Sequence, residues 1–340
     1  MKAIIMHSTG TPEVLNLEEV PMPLIDKENK VLVKLKAAGI NPIDTKLRSR
    51  GTFYPQQMPA ILGCDGAGIV EQIGAGVTKF QVGDPVFYCA DGLGAHSTGN
   101  YAEYAVISEH RLVPKPQSIS FSQAAALPLC LITAWEALYD RGRLEANSKV
   151  LIHGGGGGVG HLAIQLAKIK GAQVATTVSS EEKAKLVFDL GADLIINYRK
   201  TDFVESILDW TDGKGADLVL DTVGGKVFFN SFAAVKVYGD LVTILSPDLK
   251  KENNLNIART RNLRISLELM LSPEILGLED YQTHQAWILQ ECGQLVDQGK
   301  LKVHLSKLFP LTDAWQAHQE IETGSTMGKI VLLIEDDKSH

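Results

Sequence analysis

The residues best suited to chemistry in this sequence form a glycine run that follows a short apolar segment. The run matches the spacing G-x-G-x-x-G, and its cofactor-binding candidates are Gly155, Gly157, Gly158, Val159 and Gly160. Residues 149–153 predict a strand before it and residues 160–168 a helix after it, the context in which this spacing is informative. Glycine permits close approach of a pyrophosphate, and the amides of the helix N-terminus bind its charge. The alternative interpretation is a flexible glycine-rich linker.

The residues about twenty positions beyond this loop predict which dinucleotide binds, because a site selective for NAD carries Asp or Glu there. Here the second predicted strand ends at Ser179 and Ser180, and Lys183 follows one helical turn later. Hydroxyl donors and a lysine charge favour the 2′-phosphate of NADPH. Glu181 and Glu182 oppose this inference, because their negative charges repel a phosphate. In the alternative interpretation Lys183 is an exposed lysine of the helix with no role in binding.

Two more polar residues end predicted strands, His153 and Asp221. His153 precedes the glycine loop, but a strand-end histidine with a satisfied ring is a better expectation than an acid or base. For Asp221 we expect a structural role in holding the turn that follows it.

Composition excludes several classes of protein. The 340 residues carry a net charge of −7, which opposes general attraction to nucleic acid or anionic membranes. No apolar stretch approaches the ~20 residues that span a bilayer, and no cleavable signal pattern opens the chain. We expect a cytoplasmic protein that binds neither membrane nor nucleic acid. The cysteines form no C-x-x-C pair and predict neither disulfides nor a zinc knuckle: Cys64, Cys89, Cys130 and Cys292.

The elements that must position these residues change in character along the chain. The first third holds short apolar runs separated by Gly and Pro, which predict a mostly β domain. From about residue 122, predicted helices and strands alternate, and repeated βα units indicate a parallel sheet. The sequence therefore predicts the α/β class.

Several ordered motifs identify a resemblance that covers nearly the whole chain: AGINPIDT (38–45), GCDGAG (63–68), VGDPV (82–86), LITAW (131–135) and DTVGG (221–225). The sequence resembles the medium-chain dehydrogenase/reductase superfamily, in its zinc-independent quinone oxidoreductase branch. That resemblance implies a GroES-like, mostly β catalytic domain and a Rossmann domain with a doubly wound parallel sheet, with cofactor and substrate in the intervening cleft. The domain bounds are then 1–121 and 272–340 for the catalytic domain and 122–271 for the Rossmann domain.

The resemblance also implies roles for individual residues. Asn41 and Thr133 are expected near the nicotinamide and Val223 beside the cofactor. Around the adenosine 2′-phosphate it places Ser179, Lys183 and Tyr198, which supports NADPH as the cofactor. An alternative for Asn41 is a structural role in the turn that it forms with Pro42.

A catalytic zinc ion is not expected. Zinc-dependent relatives place Cys where Asn41 stands and a His-Glu pair where Cys64 and Asp65 stand. An amide is a poor substitute for a thiolate ligand. An unusual site formed by Cys64, Asp65, Cys89 and His96 remains an alternative.

Without zinc, direct hydride donation from NADPH to an electron-poor quinone or enone is the natural reaction. Tyr54 and Asn41 are the catalytic candidates, although Tyr54 is equally suited to packing in its Pro-rich turn. Relatives often carry a second aromatic residue where Lys46 stands, so an alkenal or enone double-bond reductase is the alternative enzyme. A non-enzymatic NADPH-binding structural or RNA-interacting protein is the alternative outside catalysis. The apolar segment 263–269 and the resemblance predict a homodimer.

Overall fold

A computed structural model of the chain describes residues 1–94, 98–248 and 255–335. The chain divides into two compact units. The first unit comprises Met1–Leu129 and Leu271–His340, and the second comprises Cys130–Met270. No helix within the described ranges is long and apolar enough to cross a membrane.

The strands of the described residues are β1 (Lys2–Met6), β2 (Leu15–Glu19), β3 (Lys30–Ile40), β4 (Asp65–Ile73), β5 (Pro85–Cys89), β6 (Tyr104–Ser108), β7 (Val113–Pro114), β8 (Lys149–Ile152), β9 (Gln173–Val178), β10 (Leu194–Asn197), β11 (Ala216–Asp221), β12 (Val235–Thr243), β13 (Arg264–Leu267), β14 (Leu305–Pro310) and β15 (Lys329–Leu333).

The helices of the same residues are α1 (Pro42–Arg50), α2 (Phe121–Ala125), α3 (Pro128–Trp135), α4 (Gly158–Ile169), α5 (Glu181–Asp189), α6 (Phe203–Trp210), α7 (Lys226–Ala234), α8 (Asn256–Thr260), α9 (Ser272–Leu276), α10 (Glu279–Asp297) and α11 (Ala314–Glu322). A π-helical turn, Glu136–Arg141, continues α3. The sequence predicts that α2 begins at Ser122. In the structure the N-cap of α2 is Ser120, whose hydroxyl accepts a hydrogen bond from the Gln123 amide at 3.2 Å.

The second unit contains one six-stranded parallel sheet in the order β10-β9-β8-β11-β12-β13. Counted from β8, this is the doubly wound order 3-2-1-4-5-6. Its central strands are almost wholly buried, as strands covered by helices on both faces must be. Phe228 and Phe232 meet edge to face at 5.1 Å in the core beside the sheet. The predicted α/β class is confirmed.

The first unit contains a seven-stranded sheet in which β14-β15-β3-β4-β5-β7 follow one another and β6 also pairs with β3. β1 and β2 form a separate antiparallel pair. The eleven-residue β3 is central because it pairs with β4, β6 and β15. This pairing brings β15, from the C-terminal part of the chain, against the end of β3 at Ile40. The residue that follows, Asn41, is thereby held beside the start of β15.

Candidate cofactor and active sites

The glycine loop lies between β8 and α4 and is packed too tightly for side chains at two positions. A Cβ atom on Gly155 would lie 2.0 Å from Thr176 Oγ1, and one on Gly160 would lie 2.3 Å from the carbonyl oxygen of Gly154. The Gly155 amide also donates to the Thr177 carbonyl at 3.1 Å, which ties the loop to β9. Glycine is therefore required here by close approach of backbone and neighbouring strand.

The loop is less crowded at Gly157 than at Gly155 and Gly160. A Cβ atom on Gly157 would lie 3.3 Å from its nearest neighbour, the Gly154 carbonyl oxygen. The first helical bond of α4 runs from His161 to Gly157, so the amides of Gly158, Val159 and Gly160 precede the intrahelical ladder. A cradle without side chains, closed by helix-terminal amides, fits the pyrophosphate of a dinucleotide. The structure thus has the local form that the motif predicts.

The residues expected at a 2′-phosphate lie at the ends of β9 and β10. The Lys183 stem crosses the loop, since its Cγ atom lies 3.0 Å from where a Gly156 Cβ would stand. Tyr198 donates its amide to the Val178 carbonyl at 3.2 Å and is 53% exposed, and Ser179 is half-buried. Ser180 is the N-cap of α5, where its hydroxyl accepts from the Lys183 amide at 3.2 Å. Glycine loop, lysine and strand-end hydroxyls therefore share one edge of the sheet.

The turn after β11 lies against the same loop. Asp221 Oδ1 accepts the amides of Val223 and Gly224 at 2.9 and 2.8 Å, so its predicted role in holding this turn is confirmed. Val223 is 49% exposed, and its Cγ2 atom lies 3.6 Å from the position of a Gly154 Cβ. An exposed apolar side chain beside the loop is suited to packing against a bound cofactor. Thr133, in α3, is buried.

His153 has the satisfied ring expected of it. Its Nδ1 atom lies 3.2 Å from Thr177 Oγ1 and its Nε2 atom 3.0 Å from Ser231 Oγ. The ring meets Phe203 edge to face at 4.7 Å, and burial lowers the pKa of His153 to about 4. A neutral, doubly hydrogen-bonded imidazole beneath the loop is structural, as predicted.

In the first unit, Asn41 lies at the centre of a buried polar cluster. It is the N-cap of α1, and its amide donates to Asp44 Oδ2 at 2.8 Å. Its side-chain Nδ2 donates to Asp65 Oδ2 at 2.8 Å, and its Oδ1 accepts from the Lys329 ammonium. Lys329 also donates to the Ile40 carbonyl at 2.9 Å and lies 3.6 Å from Asp65 Oδ2. Both groups of the Asn41 amide are thus held by charged partners.

Burial sets the electrostatics of this cluster. It raises the pKa of Asp65, and the nearby Lys329 charge opposes that rise. It also raises the pKa of Asp44 to about 7, although Tyr101 donates to Asp44 Oδ2 at 3.0 Å. The Tyr101 oxygen lies 3.2 Å from His318 Nε2, and burial lowers the pKa of His318 to about 3. The chain therefore keeps His318 neutral and gives Asp65 a cationic partner.

The donor set at the Asn41 position does not fit zinc. Burial raises the pKa of the Cys64 and Cys89 thiols well above the ordinary value, which opposes the thiolate form that zinc binds. The Lys329 ammonium also repels a divalent cation beside Asp65. Over the described ranges, no group of three or more His, Cys, Asp and Glu side chains is arranged to hold a metal ion. The other member of the alternative site, His96, lies outside those ranges.

Tyr54 and Lys46 lie on the segment that follows Asn41. Tyr54 is half-buried at the N-cap of the 3₁₀ turn Pro55–Gln57, and its amide lies 3.3 Å from Thr52 Oγ1. Lys46 is half-buried on α1, and its burial, with repulsion from Arg50, lowers its pKa. Both side chains remain accessible, whereas Asn41 is fully buried.

Sequence reasoning did not find Lys329 or the chain of contacts from Asp44 through Tyr101 to His318. A pattern of Asn followed three residues later by Asp signals the capping arrangement at the start of α1. Lys329 has no local signal, because 288 residues separate it from Asn41. Only the pairing of β15 with β3 brings them together.

Two protein families match parts of this chain. Residues 27–117 match the alcohol dehydrogenase GroES-like domain, and residues 190–332 match a family described as zinc-binding dehydrogenase. The rat quinone oxidoreductase is 32% identical over 338 residues, which cover 98% of each chain.

Two solved structures extend this likeness. An alcohol dehydrogenase superfamily protein from Novosphingobium aromaticivorans is 34% identical, with a TM-score of 0.89 over 98% of this chain and 100% of its own. Escherichia coli quinone oxidoreductase, solved in complex with NADPH, is 32% identical, with a TM-score of 0.85 over the same shares. The two domain matches and these full-length likenesses agree with the glycine loop and the doubly wound sheet. The chain belongs to the quinone oxidoreductase branch of the medium-chain dehydrogenase/reductase superfamily and is an oxidoreductase that uses a nicotinamide cofactor.

Proposed function

We propose that this chain is an NADPH-dependent reductase that transfers hydride, without zinc, to a quinone or a related conjugated carbonyl compound. The observation that carries the cofactor preference is Lys183, whose stem crosses the glycine loop beside the ends of β9 and β10. No carboxylate ends β9, where Ser179 and Ser180 stand. The likeness to a quinone oxidoreductase solved with NADPH supports the same choice.

The bound dinucleotide supplies the hydride, and the protein binds and orients it. The amides at the start of α4 hold the pyrophosphate, and Lys183 with Ser179 and Tyr198 binds the 2′-phosphate. Val223 packs against the cofactor beside the loop. These contacts favour NADPH over NADH because a phosphate gains charge-assisted hydrogen bonds that a ribose hydroxyl does not.

The chain performs this reaction without a metal to polarise the acceptor, so the acceptor must itself be electron-poor. Quinones and conjugated enones have that property. Tyr54 is the side chain that we assign to the acceptor, as a hydrogen-bond donor to the carbonyl oxygen and an aromatic wall. Asn41 acts with it, held in one orientation by Asp65 and Lys329.

Turnover of metal-chelated protein with NADPH or NADH, measured anaerobically against matched quinones and enones, tests cofactor, metal and acceptor together. Lys183→Ala is expected to raise the KM for NADPH roughly tenfold to a hundredfold, the worth of a charge-assisted contact, and to leave NADH kinetics unchanged. Lys185→Ala, an exposed lysine of the same helix, is the control. Equal losses with both cofactors, or activity that returns only with added zinc, would refute the proposal.

Lys46 favours a second candidate, a reductase of alkenal or enone double bonds. It is a half-buried lysine of α1, five residues beyond Asn41, and burial lowers its pKa. A polar wall of this kind suits an acceptor with a single carbonyl group more than a planar quinone ring. Lys46→Tyr is expected to shift the ratio of kcat/KM values toward quinones. Binding of NADPH without turnover of any acceptor would instead favour a non-enzymatic role.

A homodimer completes the proposal. β13 lies at one edge of the parallel sheet, and its Ile265 and Leu267 are 37% and 65% exposed. Pairing of β13 with its copy across a two-fold axis would cover both side chains and the open edge. Light scattering at micromolar concentration should give the mass of two chains, and Leu267→Lys should shift it toward one. A monomeric wild-type protein would contradict the proposal.

A further inference from the structure

His153 lies at the centre of a chain of hydrogen bonds that runs beneath the glycine loop. On one side, its Nδ1 atom lies 3.2 Å from Thr177 Oγ1, which accepts the Gly154 amide at 3.1 Å. On the other side, its Nε2 atom lies 3.0 Å from Ser231 Oγ, and the Ser231 hydroxyl donates to the Val227 carbonyl at 2.6 Å. The chain therefore joins the first residue of the loop to the first turn of α7.

The protons of this chain have one consistent arrangement. A serine hydroxyl carries a single proton, and Ser231 uses it for the Val227 carbonyl, so Ser231 accepts from His153. The proton of the neutral ring is thus on Nε2, and Nδ1 accepts the hydroxyl proton of Thr177. The Thr177 oxygen in turn accepts the Gly154 amide. All of these hydrogen bonds point in the same direction, an arrangement in which each bond strengthens the next.

The other protonation states of the ring conflict with the chain. A proton on Nδ1 would point at Thr177 Oγ1 and leave the Thr177 hydroxyl proton without an acceptor, because the described residues offer it no other. His153 and Thr177 are 1% and 3% exposed, and an unpaired donor is costly where water is excluded. Burial also lowers the pKa of His153, which keeps the ring neutral. The Nε2–H form is therefore the one that the surroundings select.

The chain holds Gly154, on which the form of the loop depends. Gly154 has a φ of +65°, and its carbonyl accepts the Gly157 amide at 2.9 Å. Gly157 is the N-cap of α4, so the amides at the start of this helix follow a residue that Gly154 holds. At the far end of the chain, α7 follows the turn that carries Val223, and Thr222 of that turn donates to the His153 carbonyl at 2.7 Å. Hydrogen bonds through His153 thus connect two parts of the second unit that we assign to the cofactor.

We propose that His153 and Thr177 are positioning residues for cofactor binding: the Nε2–H form of His153 orients the Thr177 hydroxyl, which fixes the Gly154 amide and holds the glycine loop in the form that receives the pyrophosphate. The inference rests on the proposed pyrophosphate site at this loop. A loop that is ordered before binding loses less conformational entropy when the cofactor binds. The chain therefore raises the affinity for any dinucleotide that carries the pyrophosphate.

Replacement of Thr177 tests the chain. Thr177→Val keeps the shape of the side chain and removes the hydroxyl, so the Gly154 amide loses its acceptor. The dissociation constants of NADPH and NADH should both rise about tenfold, the effect of one buried hydrogen bond. The two constants should rise by the same factor, because both dinucleotides carry the pyrophosphate. Thr177→Ser, which restores the hydroxyl, should return both constants to near their wild-type values.

Thr211 supplies a matched control at the other end of the sheet. Its hydroxyl is also buried and accepts the amide of another glycine, Gly215, at 2.8 Å just before β11 begins. Thr211→Val should lower the melting temperature and leave both dissociation constants unchanged. A loss of affinity as large as that of Thr177→Val would show that lowered stability explains the effect, and it would overturn the proposal.

Ser231→Ala tests the end of the chain farthest from the loop and covers the case in which Thr177→Val does not fold. The Nε2 proton of His153 loses its acceptor, so the ring can adopt the Nδ1–H form that conflicts with Thr177. Both dissociation constants should rise, and the Thr177→Val/Ser231→Ala protein should match Thr177→Val alone, because both changes interrupt one chain. Nitrogen NMR of protein labelled in its histidine side chains should show His153 as the Nε2–H form in the wild type.

The outcomes separate this proposal from the proposed function. Wild-type affinity in Thr177→Val or in Ser231→Ala, strictly additive effects of the two changes, or an Nδ1–H ring in the wild type would overturn the chain. A wrong cofactor preference or acceptor class leaves the test intact, since it compares both dinucleotides without an acceptor. Lost affinity in Gly160→Ala with normal affinity in Thr177→Val would reject the chain alone. Normal affinity in Gly160→Ala would reject the pyrophosphate site and this inference with it.

Discussion

Replacement of Lys329 by methionine tests whether an ammonium group holds the buried cluster around Asn41. The lysine is 3% exposed, and its Nζ atom lies 3.6 Å from Asp65 Oδ2 and hydrogen-bonds Asn41 Oδ1. At that distance, two unit charges interact by about 5 kcal/mol at an effective dielectric constant of ~20. Removing one partner of a buried pair strands the other charge and costs about 3–5 kcal/mol. We expect Lys329→Met to lose stability of that size.

A double-mutant cycle separates the ion pair from loss of packing. Asp65→Asn removes the stranded charge, so the Lys329→Met/Asp65→Asn protein should lose at least ~2 kcal/mol less than the sum of the two single variants. Hydrogen exchange of the amides in β3 and β15 reports the opening free energy where the cluster lies. Strictly additive single variants, or a loss below ~1 kcal/mol for Lys329→Met, would show that the ammonium does not stabilise Asp65 and would refute the reasoning.

Three further predictions follow from the geometry. Gly160→Ala should abolish cofactor binding and lower the melting temperature, because its Cβ would lie 2.3 Å from the Gly154 carbonyl oxygen. Gly157→Ala, whose Cβ would lie 3.3 Å from the same oxygen, should retain the fold. Calorimetry and titration with NADPH check both variants. His318, with a pKa lowered to about 3, binds fewer protons in the folded chain than in the unfolded chain. Its contribution to the free energy of unfolding therefore falls by about 1.4 kcal/mol per pH unit as the pH drops below ~6.5. His318→Gln should remove that dependence on pH, measured by urea unfolding. Asp44, with a pKa raised to about 7, binds more protons in the folded chain than in the unfolded chain. Its contribution to the free energy of unfolding is full below pH ~4 and falls as the pH rises toward 7. Asp44→Asn should remove that fall, so it should change the pH dependence of stability in the direction opposite to His318→Gln. Slopes that neither variant alters would contradict both assignments.

The second unit was the part of the fold most open to prediction. β9, β10 and α6 have the bounds that alternation of apolar runs with polar turns predicts. Each is a local element, and its pattern is set by burial against the same sheet. The sequence did not predict β14 and β15 as strands. β15 pairs with β3, from the other end of the chain, and β14 pairs with β15, so their formation depends on contacts distant in the sequence.

The same distinction separates the parts of the site. The glycine loop and Lys183 lie in consecutive βα units, so the order of elements alone places them at one edge of the sheet. Lys329 is a partner of Asn41, which lies 288 positions away in the sequence. No spacing rule reaches across such a separation, and a lysine beside an apolar segment has no pattern that reveals its partner. The burial of Lys329 beside Asp65 depends on the pairing of β15 with β3, which the sequence does not predict.

The buried cluster of the first unit is suited to orient the Asn41 side chain. The Lys329 ammonium opposes the rise in the pKa of Asp65 that burial causes, and it lies 3.6 Å from Asp65 Oδ2. Asp65 accepts from Asn41 Nδ2, and Lys329 donates to Asn41 Oδ1, so the two ends of the amide have partners of opposite character. A rotated amide would place its nitrogen against the ammonium and its oxygen against the carboxyl group. That mismatch is why we assign to this cluster the task of fixing the orientation of Asn41.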